Sequence, residues 1–314
     1  MIISLKDIEE VMEHRAGLID KELSLIPYAI NPPELAEVVR YALSQKGKRI
    51  RATVLTLSCE SVGGSLQKAL VPALAVEMVH NTSLILDDII DVAETRRGKA
   101  TINSKWGNNM ALIACDVLLA LAIREASRTD MKMTKAVIEC ASNSLLSLAE
   151  GEAMELVKRD YTIDDYYQIA DRKTASLFSA SAEAGALVGG GDEKQVDALK
   201  QYGRSLGTAF QIRDDILDFT ASKDLLGKPT FIDLKMGRPT LVMLLAKNNG
   251  LKREAMLSMT PEALHEALEP CIAKAGRIAE QKASEAKLSL QNIEDGRAKD
   301  LLLKLSDYAV ARAK

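Results

Sequence analysis

The chain is poor in the residues that stitch, kink or anchor proteins: four cysteines, eight prolines and 4% aromatics in 314 residues. Each shortage excludes something. Cys59, Cys115, Cys140 and Cys271 are far apart, so neither a disulfide framework nor a zinc spacing is present. They read as ordinary buried thiols of a reducing compartment. No uncharged apolar run reaches the length of a membrane span; the best, MALIACDVLLALAI at 110–123, is short and carries Asp116. The start, MIISLKDIEEVM, has early acids and no signal-peptide core. These features predict a soluble, cytoplasmic protein without stable membrane insertion. Lys plus Arg is 41 against 44 Asp plus Glu, a net charge of -3. That balance argues against a general nucleic-acid surface but leaves room for a local basic site.

What is present is helix-forming sequence. Alanine, leucine, glutamate and lysine abound, and alternating strand patterns are hard to find. Helices are expected at about 4–22, 33–44, 48–60, 67–92, 103–126, 131–157, 162–189, 193–221, 238–247, 261–288 and 295–313. Pro33 and Glu34 suit a first helical turn, and Thr162 with Asp165 fits a capping box. Gly63-Gly64 and Gly189-Gly190-Gly191 read as helix stops. No low-complexity linker divides the chain, so residues 1–314 are expected to form a single domain. The segments 67–92 and 193–221 are long and largely apolar, and belong in the middle of a large all-α bundle.

Those two helices carry the most informative pattern. Asp87, Asp88 and Asp91 form Asp-Asp-x-x-Asp in LILDDIIDVA, and Asp214, Asp215 and Asp218 repeat it in FQIRDDILDF. The first and last members are i and i+4 and share one helical face. Carboxylates in apolar surroundings are expensive unless something positive meets them. An oxygen-only set of this kind suits an open Mg²⁺ site completed by substrate phosphates. Spacing does not distinguish magnesium from manganese. A plain polar helix face is the alternative for either cluster taken singly. Basic residues stand where an anion site needs them: Lys48, Arg49 and Arg51 in KGKRIRA, Arg96 and Arg97 in ETRRGKAT, Lys173 in DRKTASLF, Lys228 in LLGKP and Arg238 in KMGRPT.

Taken in order, these segments resemble the trans-isoprenyl diphosphate synthases, the polyprenyl synthetase family. GKRIR is similar to its early Gly-Lys-Arg-x-Arg motif. EMVHNTSLILDDIIDVAETRRGKAT, with Glu77, His80 and Ser83, is similar to its first aspartate-rich region. KTASLF, FQIRDDILD and GKPTFIDLKMGRPTL follow in the family's order, and the tail DYAVARAK, with Arg312 and Lys314, resembles the family ending.

The resemblance implies an isoprenoid synthase fold, a large orthogonal helix bundle around a deep central cavity, usually a homodimer. It implies condensation of isopentenyl diphosphate onto an allylic diphosphate (dimethylallyl, geranyl or farnesyl) with three Mg²⁺ ions. Asp87, Asp88, Asp91 and Asp214 would hold the metals, with Asp215 and Asp218 supporting the second face. Arg96, Lys173, Lys228 and Arg238 would grip the allylic diphosphate. Lys48, Arg51, His80 and Arg97 would hold that of isopentenyl diphosphate. Thr174 and Gln211 would lie along the allyl group, and the departing diphosphate would serve as base. Several positions depart from the family pattern: Ala52 for proline, Ala100 and Asn103 for Pro and His, Arg238 for lysine and Phe231 for glycine.

Product length is expected to be read along 67–92, back from Asp87. Ser83 and Thr82 are one turn away, Val79 two and Val76 three. In the resembling enzymes an aromatic five residues before the motif gives a C15 product; here that residue is Thr82. The expectation is geranylgeranyl diphosphate (C20), with geranylfarnesyl (C25) or longer as the alternative. The cavity floor is open among Val79, Val76, Met78, Leu112, Ile113, Leu118 and Leu119. Two other readings are weaker. A terpene cyclase would lack the Lys48, Arg49, Arg51 and Arg97 group and would carry more aromatics. A non-catalytic partner subunit would have lost an acidic motif.

Overall fold

The computed structural model describes residues 3–26, 30–158, 160–220 and 231–312. Its helices are α1 (Leu5–Leu25), α2 (Pro33–Leu43), α3 (Ile50–Ser61), α4 (Leu66–Ile90), α5 (Ile102–Trp106), α6 (Asn108–Ala126), α7 (Met131–Val157) and α8 (Ile163–Ala170). They continue as α9 (Ser176–Gly189), α10 (Glu193–Thr220), α11 (Ile232–Met236), α12 (Leu241–Asn248), α13 (Arg253–Leu257), α14 (Pro261–Ser289) and α15 (Arg297–Ala311). Among the described residues the only sheet is a hairpin, Thr95–Arg96 against Lys99–Ala100, which the sequence reading did not anticipate.

The local signals work as expected. Thr162 and Asp165 form a reciprocal capping box, and Pro33 opens α2. Gly63 and Gly190 take φ of 89° and 87°, the left-handed conformation that ends a helix without a Cβ clash. Two expected helices differ. Gly107, at φ 82°, breaks 103–126 into α5 and α6. The segment 162–189 is helical throughout but contains a π turn at Asp171–Ala175.

Three apolar clusters hold the bundle. The first joins α2, α3 and α4 to α6, α7 and α9. The second packs α1, α3, α9 and α10 against α15, around Phe178, Tyr202 and Leu206. The third gathers α8, α10, α12 and α14 around Ile212, Ile216 and Leu245. α4 has the length and apolar composition to cross a bilayer, but 67% of that stretch is buried inside the fold. It is a core helix, enclosed by α3, α6 and α9. A small apolar cavity lies among α4, α6, α7 and α9.

Candidate active site

The two acidic segments lie on α4 and α10. Asp91 is the C-cap of α4 rather than an interior residue, so the first cluster runs off the helix end. Asp88 is buried and accepts from Arg96 Nε at 2.7 Å. Asp91 pairs with Arg238. Asp87 is raised to about 6, because burial outweighs the help of Lys173 and Arg96.

On α10 the three aspartates divide their labour. Asp214 has a 47% exposed side chain and meets Arg312 at 2.6 Å. Asp215 is buried and pushed up to about 8 by desolvation. It accepts from Gln211 Nε2 at 2.9 Å and from the Leu241 N–H at 3.2 Å. Asp218 accepts the Ile232 and Asp233 N–H groups, both at 3.1 Å, and so caps α11. Asp215 and Asp218 therefore anchor backbone. These are the two aspartates expected to support the second face, and their oxygens hold amides of α11 and α12.

Among the described residues, no group of three His, Cys, Asp or Glu side chains forms a ready metal cage. The donors still suit a hard divalent cation. They are carboxylate oxygens only, and Asp87 carries more charge burden than its neighbours relieve. Such a set fits a cation completed by substrate oxygens.

Lys173 sits in the π turn, a feature frequent at functional sites. Its Nζ stands 2.6 Å from both Glu152 and Glu155 of α7. Burial works against its charge, but Glu155, Asp87 and Glu152 outweigh that and hold its pKa above the ordinary value. Gly151 makes the approach possible: a Cβ there would lie 2.8 Å from Lys173 Cγ and 3.0 Å from its backbone N. Thr174 donates from Oγ1 to Gln211 Oε1 at 2.6 Å. Thr174, Gln211 and Asp215 thus form one hydrogen-bonded row.

A second basic group lies on α3, α4 and the hairpin. Arg51 Nη1 is 3.1 Å from His80 Nε2 and its guanidinium is 4.7 Å from the Phe178 ring centre. Burial first, then Arg51, Arg97, Arg49 and Arg96, press the His80 pKa well below its ordinary value. His80 is neutral at pH 7 and accepts from Arg51, with its proton on Nδ1. Burial lowers Arg51 to about 10, which leaves it charged. Arg97 takes φ 52° and donates to Lys46 O at 2.9 Å. It packs so close to Gly47 that a Cβ there would lie 2.5 Å from Arg97 Nη1. Lys48 donates to the Tyr308 hydroxyl at 2.7 Å.

Arg49 does not belong to this anion group. It is 5% exposed, at φ 48°, and bonds Glu77 Oε2 at 3.1 Å and Asp20 at 2.9 Å. The Ala52 N–H donates to Glu77 Oε1 at 3.1 Å, a bond that the family's proline at this position could not make. Lys228 lies outside the described residues.

The apolar cavity is lined by Pro72, Ala75, Val76 and Val79 of α4, by Val137, Cys140 and Ser144 of α7, and by α9 residues including Leu177. Of the residues expected to set product length, Val76 and Val79 line this cavity. Thr82 and Ser83 are not in this wall; their hydroxyls donate to Met78 O and His80 O of α4. Leu112 and Ile113 are each 47% exposed and do not floor it; of α6, Ala126 lines it.

Sequence reading missed Glu152, Glu155 and Asp233. Asp233 is raised to about 6, by burial and then by Asp218, and stands 3.5 Å from Arg238. The glutamates carried a signal: Glu152 and Glu155 form an i, i+3 acidic pair just after Gly151, with Glu150 ahead of it.

The polyprenyl synthetase family model matches residues 32–272. Geranylgeranyl diphosphate synthase of Methanosarcina mazei is 33% identical, over 98% of this chain and 99% of that protein. Octaprenyl diphosphate synthase of Escherichia coli is also 33% identical, over 87% and 88%. A polyprenyl synthase from Caulobacter crescentus, solved with calcium and isoprenyl diphosphate, superposes with a TM-score of 0.86 at 28% identity, covering 100% of this chain and 99% of that one. The helices described above are thus the isoprenoid synthase fold, and the chain belongs to the polyprenyl synthetase family of prenyl-transferring enzymes.

Proposed function

We propose that the protein is an Mg²⁺-dependent geranylgeranyl diphosphate synthase. It condenses isopentenyl diphosphate with dimethylallyl, geranyl and farnesyl diphosphates to an all-trans C20 product, releasing diphosphate. The observation that carries the reading is the presence of two differently built anion sites. One is carboxylate-rich and faces Lys173. The other is a metal-free cluster of Arg51, Arg97 and neutral His80.

In this reading Asp87, Asp88, Asp91 and Asp214 hold Mg²⁺, with Mn²⁺ as a substitute. Bound there, the cations neutralise the allylic diphosphate and make it a better leaving group. Arg96, Arg238 and Lys173 turn their charge from carboxylates to diphosphate oxygens, joined by Lys228. Glu152 and Glu155 keep Lys173 aimed while that happens. Thr174, Gln211 and Asp215 form a fixed polar row beside the allyl group. Lys48, Arg51, Arg97 and His80 hold the second diphosphate, and Val76 and Val79 flank the growing tail. Released diphosphate takes the final proton, so no side-chain nucleophile is required.

The protomer exposes Leu112, Ile113 and Ile123 on one side of α6. That exposed apolar face supports a homodimer in which a second copy of the chain covers it. Four free, buried cysteines support a cytoplasmic location.

A C25 or longer product is the second reading. The cavity wall contains no aromatic residue, and a C40-forming octaprenyl synthase is as similar in sequence as the C20 enzyme. The test is a product assay with labelled isopentenyl diphosphate, Mg²⁺ and each allylic starter, followed by dephosphorylation and separation by length. A discrete C20 alcohol is expected. A longer alcohol moves the assignment to the second reading, and no elongation with any starter overturns both.

A further inference from the structure

Arg312 follows the last residue of α15 and is 8% exposed. Its Nη2 donates to Asp214 Oδ1 at 2.6 Å and to Phe210 O at 2.9 Å. Its Nε donates to Ala309 O at 3.3 Å, and the guanidinium carbon lies 3.6 Å from the Phe210 ring centre. The backbone is fixed as firmly. Arg213 donates from Nε and Nη2 to Arg312 O, at 3.0 and 2.9 Å. Side chain and main chain are thus both tied to one turn of α10, and the charge is held against the most accessible aspartate of the second cluster.

The first acidic face has comparable partners, Arg96 on Asp88 and Arg238 with Asp91. Those two arginines have a second destination in the diphosphate. Arg312 has none assigned: apart from Asp214, its bonds are to backbone carbonyls.

We propose that Arg312 is a resident counter-cation of Asp214 that opposes metal binding in the absence of diphosphate. The proposal rests on Asp214 being a metal ligand. If Arg312 stays in place when a cation arrives, it sets a guanidinium beside a divalent charge in a partly desolvated site. If it leaves, it forfeits a charge-assisted bond and its stacking on Phe210. Either route weakens binding of the bare cation. A diphosphate arriving with the cation supplies negative charge that reduces both penalties. Arg312 is therefore a positioning residue that couples loading of the second face to the presence of substrate.

The test is binding of Mn²⁺ to the full chain without any diphosphate, read from the paramagnetic resonance of free Mn²⁺. Arg312→Met removes the charge and keeps an apolar stem over Phe210; Arg312→Gln carries the same expectation should that variant fold poorly. Either should bind Mn²⁺ more tightly by on the order of tenfold, whereas Arg312→Lys stays near the parent. Asp214→Asn should bind more weakly. Unchanged or weaker binding in the charge-removing variants, with Asp214→Asn weakened, overturns the counter-cation role and leaves Asp214 as a ligand. Unchanged binding in Asp214→Asn removes the ligand assignment and the proposal with it.

Discussion

Lys173 Nζ lies 2.6 Å from Glu155 Oε2, across the gap between the π turn and α7. Under the proposed function this contact aims Lys173 before a diphosphate arrives, with Glu152 at the same distance. Glu155→Gln keeps the shape and removes the charge. It should lower turnover by roughly 10–100-fold, since small misplacements of a catalytic group carry penalties of that size. Steady-state rates on the allylic substrate check this, and an unchanged rate would contradict the aiming role.

Asp87→Ala should reduce turnover by roughly 10²–10³-fold or more, the loss expected when one stabiliser of developing charge is removed. Circular dichroism should show the helices intact. Near-normal turnover at saturating Mg²⁺ would remove Asp87 from the metal set.

The same residue makes a pH prediction for the metal-free protein. Burial raises the Asp87 pKa from its ordinary value of 3.8 to about 6. The native state therefore holds the proton more tightly than the unfolded chain, and stability falls as pH rises from about 4 through 6. Asp87→Asn should melt higher than the parent at pH 7 without metal, and the gap should close near pH 4. A gap that does not change with pH would show that burial is not the cause.

Lys48→Ala should raise KM for isopentenyl diphosphate more than for the allylic partner, because the proposed function assigns Lys48 to the second diphosphate with Arg51 and His80. Equal losses in the two titrations would merge the two anion sites into one.

Val79→Phe puts an aromatic ring into the wall of the apolar cavity and should shorten the product by one or more C5 units. Chromatography of the dephosphorylated alcohols decides it; an unchanged length would place the tail elsewhere.

Much of this was legible in the sequence because it is local. Asp-Asp-x-x-Asp, the Thr162 box and the glycine stops depend on neighbours within a turn. What escaped depends on partners far along the chain. Arg49 and Arg51 are two residues apart in one motif, yet Arg49 turns inward to Glu77 and Asp20 while Arg51 meets His80. Residues i and i+2 of a helix face opposite ways, but which of the two turns inward depends on Glu77 and Asp20, far along the chain. Asp215 and Asp218 look like Asp88 and Asp91 in one dimension. Their oxygens are occupied by amides of α11 and α12, segments that packing alone brings near. Phe231 was marked only as a departure from glycine; its φ of 60° explains why glycine suits the position.

The π turn at Asp171–Ala175 sets the chain's tolerance to change of length. Each residue of an α-helix advances about 100° around the axis. Deleting one residue there would turn α8 and α9 relative to each other by about that angle. Tyr166 and Ala170 belong to one apolar cluster, Phe178 and Ala182 to another, and the two could no longer be satisfied together. Substitutions in this segment are judged by the site they touch, but its residue count is fixed by the two cores on either side.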